Sequence, residues 1–196
     1  MSPGTFDNSR SPADRINEAS FASLIDAAKV GDGRAFECLY RWLAPEITRF
    51  ATVRGAEDAE GLANEVFLRA YQKISRFDGR RDAFRAWIFA ITRNLLIDAH
   101  RAGARRPDIA TNEVPERSSA SADIEALDLL SVQRVARLLA QLSDDQRDVI
   151  LLRMVGDLSL QQVALIVDKP VTAVKALQRR GLRRLQSEVL AEVVTP

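Results

Sequence analysis

Cysteine and histidine are nearly absent from this chain of 196 residues, which contains one of each, Cys38 and His100. A single cysteine excludes an internal disulfide bond and is typical of a reducing compartment. His100 has no partner at metal-ligand spacing, and Asp98, two positions away, does not share a helix face with it. We therefore predict no metal site, no cofactor and no catalytic residue, and we expect Cys38 and Trp42 to be packing residues.

Long apolar runs and a large net charge are also absent. No stretch approaches the roughly 18 consecutive apolar residues of a membrane span, and residues 1–20 contain no apolar signal segment. We expect no membrane insertion, no secretion and a cytoplasmic location. The 28 Lys and Arg residues nearly balance the 27 Asp and Glu residues, so the formal net charge is only +1. Overall charge therefore does not indicate a nucleic-acid partner, and only local clusters of charge can do so.

Apolar residues recur at intervals of three and four along most of the chain, and strand-like alternation is rare. This periodicity predicts an all-α protein. Two stretches interrupt it. Residues 1–19 are polar and are predicted to form a disordered tail, whereas residues 102–123 contain glycine, proline and serine and are predicted to form a flexible linker. The remaining chain predicts two small helical domains at 20–101 and 124–190, followed by a tail at 191–196.

The first domain is predicted to contain four helices, the last two joined by a charged turn at Phe77–Asp82. Ser20 is the predicted N-cap of the first helix. Tyr71 and Trp87 lie on apolar faces, and we expect both to contribute to the core. The predicted helix bounds, in chain order, are Ser20–Val30, about 34–54, Ala56–Ser75 and Ala83–Arg101.

Near the end of the chain, Leu158–Leu185 has the pattern of a helix-turn-helix. Ser159 and Gln162 form a capping box for the first helix, as Ser143 and Gln146 do for the helix before it. Asp168 occupies the turn where glycine is usual, and Asp tolerates the left-handed conformation better than most residues. The second helix is predicted to turn apolar residues inward, namely Val174, Leu177, Leu182 and Leu185.

The second helix of this motif is strongly basic. Between Lys169 and Arg184 there are six cations and no acidic residue. A helix with one apolar face and one cationic face suits a DNA groove, where the charges neutralise phosphates and side chains near its start reach base edges. The alternative is a solvated basic face on an ordinary bundle. The short turn and compact first helix favour the DNA-binding interpretation.

Several segments resemble a known family. Asp58–Tyr71 (DAEGLANEVFLRAY), Arg76–Gly79 (RFDG) and Phe84–Leu95 (FRAWIFAITRNL) resemble conserved region 2 of bacterial sigma factors, most closely the extracytoplasmic-function (ECF) group. Leu142–Arg153 (LSDDQRDVILLR) and the helix-turn-helix resemble region 4 of the same group. The resemblance covers roughly Phe21–Gln186 except for the linker, with both regions in the family's order.

This resemblance implies a transcription initiation factor that is not itself an enzyme. Region 2 of such factors docks on core RNA polymerase and recognises and melts the −10 promoter element, and region 4 reads the −35 element as duplex DNA. The implied polymerase-binding residues are Asp58, Asn64 and Glu65, with Asn64 standing where the family commonly has glutamine. The implied −10 residues are Phe77, Asp78, Arg80, Arg81, Arg85 and Asn94. The implied −35 residues are Thr172, Lys175, Ala176, Arg179, Arg180, Arg183 and Arg184.

An anti-sigma factor is a further candidate partner on the same resemblance. Two other functions remain as alternatives. A regulator that binds duplex operators without polymerase needs only Leu158–Leu185, but it leaves the Asp58–Leu95 pattern unexplained. An enzyme with a helical fold lacks any clustered His, Cys and acidic residues to support it.

Overall fold

The computed structural model describes residues 16–104 and 134–194, and these residues form helices joined by short turns. This confirms the all-α prediction. A 3₁₀ turn at Ile74–Arg76 follows the third helix, and residues 134–140 are the described part of the fifth helix, α5. The other helices are α1 (Glu18–Lys29), α2 (Gly33–Val53), α3 (Ala59–Lys73), α4 (Arg81–Ala104), α6 (Asp144–Met154), α7 (Leu160–Val167) and α8 (Val171–Val194).

Helices α1–α4 enclose an apolar core rich in aromatic rings. Phe21 of α1 contacts Trp42 and Phe84, with ring centroids 6.1 and 5.6 Å apart, and Phe50 meets Phe89 edge to face at 5.5 Å. Each fully buried phenylalanine contributes roughly 1.5–3 kcal/mol through removal of apolar surface from water. The packing role predicted for Trp42 is confirmed. The same prediction for Cys38 is wrong, because Cys38 lies on the outer face of α2 and is exposed.

The ends of the first four helices differ from the predictions by one to three residues. Asn17, not Ser20, is the N-cap of α1, since its side chain accepts a hydrogen bond of 2.8 Å from the backbone N–H of Ser20. Asn is at least as good an N-cap as Ser, and it places Glu18 in the first turn, where the helix dipole favours an acid. Likewise, α3 begins after the N-cap Asp58 rather than at Ala56.

The predicted tails and linker lie mostly outside the described residues. Within those residues, α1 starts at Glu18, inside the predicted tail 1–19. Helix α4 continues to Ala104, past the predicted linker start at 102, and α8 continues to Val194, into the predicted tail 191–196. A single glycine such as Gly103 costs a helix only about 1 kcal/mol, which does not end it.

Helices α5–α8 form the second domain. Val149 and Leu152 of α6, Val163 of α7 and Val174 of α8 are completely buried in its core. Helices α6 and α8 approach closely at Gly181, where an added Cβ would lie 2.6 Å from Cδ1 of Ile150. A side chain at this crossing would therefore force Ile150 to move.

Two residues predicted to face inward lie partly in solvent. Leu182 is 45% exposed because its neighbour Gly181 faces α6 and the next residue of a helix is rotated by about 100°. Tyr71 is also 45% exposed, although its ring meets that of Phe36 edge to face at 5.0 Å. Leu185 is partly buried against the core, as predicted.

The two domains pack against each other. Helix α4 of the first domain lies against α7 of the second. At the edge of this contact, the side chain of Gln162 donates a hydrogen bond of 3.0 Å to the backbone carbonyl of Asp82. The described structure is therefore a closed arrangement of the two domains.

Candidate nucleic-acid interface

The helix-turn-helix is built as its sequence predicts. Both capping boxes are present, at Ser143 with Gln146 and at Ser159 with Gln162. Asp168 ends α7 in the left-handed conformation, with φ 53° and ψ 51°. The chain changes direction at this residue, so α8 starts at Val171, only four positions after the end of α7, and packs against α7.

One side of α8 carries all the residues predicted to contact the −35 element, and we call it the recognition face. Lys175, Arg179 and Arg180 are exposed and have no ion-pair partner among the residues that the structure describes. Arg184 is also exposed, but its Nε lies 2.9 Å from Glu188. Ala176 is half-buried. The complete recognition face consists of Thr172, Lys175, Ala176, Arg179, Arg180, Arg183 and Arg184.

Lys169 belongs to the same basic run but is engaged within its own domain. Its Nζ lies 3.1 Å from a carboxylate oxygen of Asp145 on α6. The ion pair fixes the turn between α7 and α8 rather than adding to the free charge on α8. Exposed pairs of this kind contribute at most about 1 kcal/mol.

A cleft of about 320 Å³ opens where α3 passes through the 3₁₀ turn toward α4, and we call it the loop cleft. Phe77 and Trp87 stack on one wall, with ring centroids 5.2 Å apart. Trp87 is half-buried, so its predicted core role holds only for the part that packs on Phe84 at 5.8 Å. The residues lining the cleft are Lys73, Arg76, Phe77, Asp78 and Trp87.

The residues predicted to contact the −10 element occupy two environments. Phe77 and Asp78 line the loop cleft, whereas Arg80 on the loop and Asn94 on α4 are exposed to solvent outside its lining. The two remaining residues are engaged elsewhere. The guanidinium of Arg81 lies over the Trp42 ring at 5.2 Å, and that of Arg85 is bound between the two domains.

Three cleft residues, Lys73, Arg76 and Trp87, are not in the predicted −10 set. Two of them, Lys73 and Arg76, have a signal in the sequence, because the charge changes from the acidic start of α3 to Lys73 at its end and Arg76 in the following 3₁₀ turn. Cations beside a stacked aromatic pair are the groups that hold single-stranded nucleic acid, because phosphates and exposed bases bind to them together.

The predicted polymerase-binding residues lie along the outer side of α3. Asp58 caps the helix, Asn64 accepts a hydrogen bond of 2.8 Å from the Tyr40 hydroxyl, and Glu65 pairs with Arg69 at 2.7 Å. Sequence reasoning missed two apolar residues of this side, Leu68 and Tyr71, which are 52% and 45% exposed. Leu68 is four residues after Asn64, and Tyr71 seven, which places them on one helix face. We call Asp58, Asn64, Glu65, Leu68 and Tyr71 the docking face.

Two features are absent from the described part of the chain. Among residues 16–104 and 134–194 there is no group of three or more His, Cys, Asp or Glu that could hold a metal ion. The same residues also contain no helix with the length and hydropathy of a membrane span. The fold and the recognition face thus define a DNA-binding protein of the helix-turn-helix class.

Comparison with known proteins gives the family. The chain matches Sigma-70 region 2 over residues 35–106 and Sigma-70, region 4 over residues 132–185. It is 31% identical over 189 residues to the ECF RNA polymerase sigma factor SigD of Mycobacterium tuberculosis, an alignment that covers 92% of this chain and 89% of SigD. It is also 31% identical over 180 residues to the ECF RNA polymerase sigma factor BldN of Streptomyces coelicolor, covering 90% of this chain and 68% of BldN. The chain belongs to the ECF RNA polymerase sigma factors.

Solved structures agree in fold. CnrH, in complex with the cytosolic domain of CnrY, superposes with a TM-score of 0.66 at 24% identity, covering 87% of this chain and 97% of CnrH. RpoE of Bartonella quintana, in complex with the anti-sigma factor NepR, gives a TM-score of 0.62 at 24% identity, covering 82% of this chain and 98% of RpoE.

Proposed function

We propose that this chain binds core RNA polymerase and directs it to promoters by reading a −35 element as duplex DNA and a −10 element as a single strand. One observation carries the proposal: an ECF-family chain holds two different exposed surfaces suited to DNA, the recognition face and the loop cleft. A regulator of duplex operators needs the first surface but has no use for the second.

The recognition face would read the −35 element from the major groove. Arg179 and Arg180 lie two helical turns from the start of α8, and each can bind guanine with two hydrogen bonds. Ala176 has no hydrogen-bonding side chain but can pack on a thymine methyl. Arg183 and Arg184 lie farther along the helix, where phosphates are the nearer contact. The free cations of this face supply the sequence-independent part of the affinity.

The loop cleft would hold an unstacked base of the −10 element. Taking a base out of the stack costs a few kcal/mol, which contacts with the displaced base must repay. Trp87 and Phe77 offer apolar ring surface for that base, while Lys73 and Arg76 offer charge to the adjacent phosphates. Arg80 and Asn94 extend the strand's path beyond the cleft, and these contacts favour the melted promoter over the duplex.

The docking face would bind polymerase. It combines exposed apolar residues with acidic residues of the first half of α3, and exposed leucine and tyrosine beside charges are typical of a protein interface. The Tyr40 hydroxyl occupies the Asn64 side-chain oxygen, so the amide N–H groups of Asn64 are the ones available to a partner. This geometry supports a role for Asn64 where the family commonly has glutamine.

Further parts of the proposal follow from the family. The chain has no catalytic turnover of its own, because polymerase performs the chemistry, and it acts in the cytoplasm, where polymerase and chromosome meet. An anti-sigma factor is an additional proposed partner. The solved complex of the sigma factor RpoE with the anti-sigma factor NepR supports it, since RpoE shares this fold.

The direct test is run-off transcription by core RNA polymerase with this chain and a pool of promoter fragments from the same genome. We expect discrete transcripts that require the chain, and permanganate-reactive thymines near −10 on the same fragments. Polymerase without the chain is the control. Specific binding to duplex fragments without transcripts, and without co-elution with polymerase, would replace this proposal with the operator-binding regulator.

A further inference from the structure

A buried carboxylate joins the two domains. Asp148 of α6 is 2% exposed, and its Oδ2 accepts a hydrogen bond of 2.7 Å from Nε of Arg93 on α4. Its Oδ1 lies 3.1 Å from Nε of Arg54, at the end of α2, in an ion pair whose angle does not meet hydrogen-bond geometry. A single carboxylate of the second domain thus receives two guanidinium groups of the first.

Neighbouring groups reinforce this cluster. Arg54 also reaches Asp144, with Nη1 3.3 Å from the carboxylate, and Arg93 donates a second hydrogen bond of 3.4 Å to the backbone carbonyl of Ile166. Arg147 stands beside them, 3.6 Å from Asp144. Burial lowers the pKa of Arg147, and the positive charge of Arg54 lowers it further.

A second contact between the domains involves Arg85. Its guanidinium donates to the backbone carbonyls of Val155 and Gly156, which follow α6, and it also pairs with Glu46 of its own domain. The Arg85 side chain is consequently only 12% exposed. In this conformation its charge is paired with Glu46 and its remaining hydrogen bonds go to the second domain, so little of the guanidinium faces solvent.

The exposure of the proposed DNA-binding surfaces is unequal in the closed arrangement. Lys175, Arg179 and Arg180 of the recognition face are exposed. Arg85, one of the residues predicted to contact the −10 element, is covered. The interface between the domains therefore blocks part of one DNA-binding surface and leaves the other open.

We propose that Asp148, with Arg54 and Arg93, is an interdomain latch that holds this chain in a closed conformation, able to bind duplex DNA but not to use Arg85 on a single strand. The link to DNA rests on the proposed function, whereas the latch itself rests only on the contacts above. Opening would expose Arg85, which keeps Glu46 as its ion-pair partner, together with Arg93, because both arginines lie on α4 and both bind the second domain.

The physics of buried ion pairs suits a reversible latch. The attraction within a buried pair is largely offset by the cost of removing both charges from water, so the intact pair holds the domains with a modest net free energy. Removing one partner is much more costly, because the other charge then stays buried without compensation. On opening, Asp148 and both arginines return to water, and that hydration limits the cost of separation.

The latch is tested by the distance between the domains in the full chain. Spin labels on the exposed native Cys38 of α2 and on a cysteine placed by Gln186→Cys in α8 give one interdomain distance by double electron–electron resonance. The otherwise unchanged chain is expected to give a narrow distribution. Asp148→Asn should shift the closed-to-open ratio by about tenfold toward longer distances.

A matched control is Asp145→Asn on the same helix, which removes a carboxylate that pairs with Lys169 inside the second domain. It should leave the distribution narrow. Arg93→Gln removes the partner of Asp148 on the first domain and should open the latch as Asp148→Asn does. Agreement between the two variants guards against a folding defect in either one. Folding is checked by circular dichroism. A folded Asp148→Asn or Arg93→Gln chain with the unaltered distance distribution would overturn the latch.

The functional link has its own readout. A fluorescent single-stranded oligonucleotide that carries a −10 sequence mapped by run-off transcription should bind the Asp148→Asn chain several-fold more tightly than the unaltered chain. Affinity for the −35 duplex should not change. Longer distances without tighter single-strand binding would overturn the blocking of Arg85 while leaving the latch. The distance measurement uses neither polymerase nor DNA, so it tests the latch alone. Failure of the run-off assay would therefore count against the proposed function and not against the latch.

Discussion

Phe77 and Trp87 stack with their ring planes 24° from parallel and their centroids 5.2 Å apart. The two residues belong to different elements, the end of the 3₁₀ turn and α4, so the stack fixes the loop between α3 and α4 against the domain. Trp87 contacts Phe84 with one edge and borders the loop cleft with the remainder. One side chain thus serves both the core and the proposed strand-binding surface.

Trp87→Ala should impair promoter melting more than promoter binding. A base stacked on an aromatic ring gains roughly 1–3 kcal/mol, so loss of the ring should reduce the permanganate-reactive fraction by about fivefold to a hundredfold. Binding of the −35 duplex should not change. Trp87→Phe keeps an aromatic surface and is the matched control. Equal melting by the Ala and Phe variants, with folding checked by circular dichroism, would argue against a base on Trp87.

Arg180→Ala and Arg183→Ala should weaken −35 binding in different ways. Loss of a bidentate contact to guanine at Arg180 should remove about 1–3 kcal/mol of preference at one base pair. Loss of a phosphate contact at Arg183 should weaken all duplexes alike and reduce the salt slope of binding by about one. The measurement is competition binding with single-base variants of the −35 element at several salt concentrations. Uniform weakening by both variants would show that the assigned roles are wrong.

Leu68→Ser should weaken binding to core polymerase by roughly tenfold, because full burial of a leucine side chain is worth roughly 1.5–3 kcal/mol and about half of Leu68 is still exposed in the free chain. Its side chain is already 52% exposed, so the stability of the domain should change little. Val30→Ser is a suitable control, since Val30 is 85% exposed and lies at the C-terminal end of α1, outside the docking face. Fluorescence anisotropy of the labelled chain with polymerase measures both, and equal affinities would exclude Leu68 from the interface.

Gly181→Leu should destabilise the second domain by roughly 1–3 kcal/mol, because the new side chain must displace the buried Ile150. Gly33→Ala provides the contrast, since an added Cβ there meets nothing within 4 Å and alanine favours a helix over glycine. Urea unfolding followed by circular dichroism gives both free energies. A Gly181→Leu chain as stable as the unaltered one would mean that α6 and α8 can separate without loss.

Local features of this fold were predictable from the sequence, and distant contacts were not. The capping boxes at Ser143 and Ser159 each depend on residues three apart, and the turn at Asp168 depends on its neighbours. The start of α1 was missed because Asn17 and Ser20 are both competent caps, so composition alone does not choose between them.

The site was predictable to the same extent. The recognition face follows from helical periodicity and charge on one element. Contacts such as Arg93 with Asp148, separated by 55 positions in the chain, leave no periodic signal, so the engagement of Arg85 between domains could not be foreseen. The prediction that Leu182 faces inward is wrong because periodicity does not show which residue of α8 meets α6. That residue is Gly181, so Leu182 is turned partly toward solvent.

Helix α8 continues without interruption from Val171 to Val194, about 36 Å at 1.5 Å per residue. The recognition face lies within its first fourteen residues, and the helix extends beyond Leu185, which is partly buried against the core. Because one continuous helix joins the two parts, a displacement of its C-terminal end would also change the angle at which the arginines meet a groove.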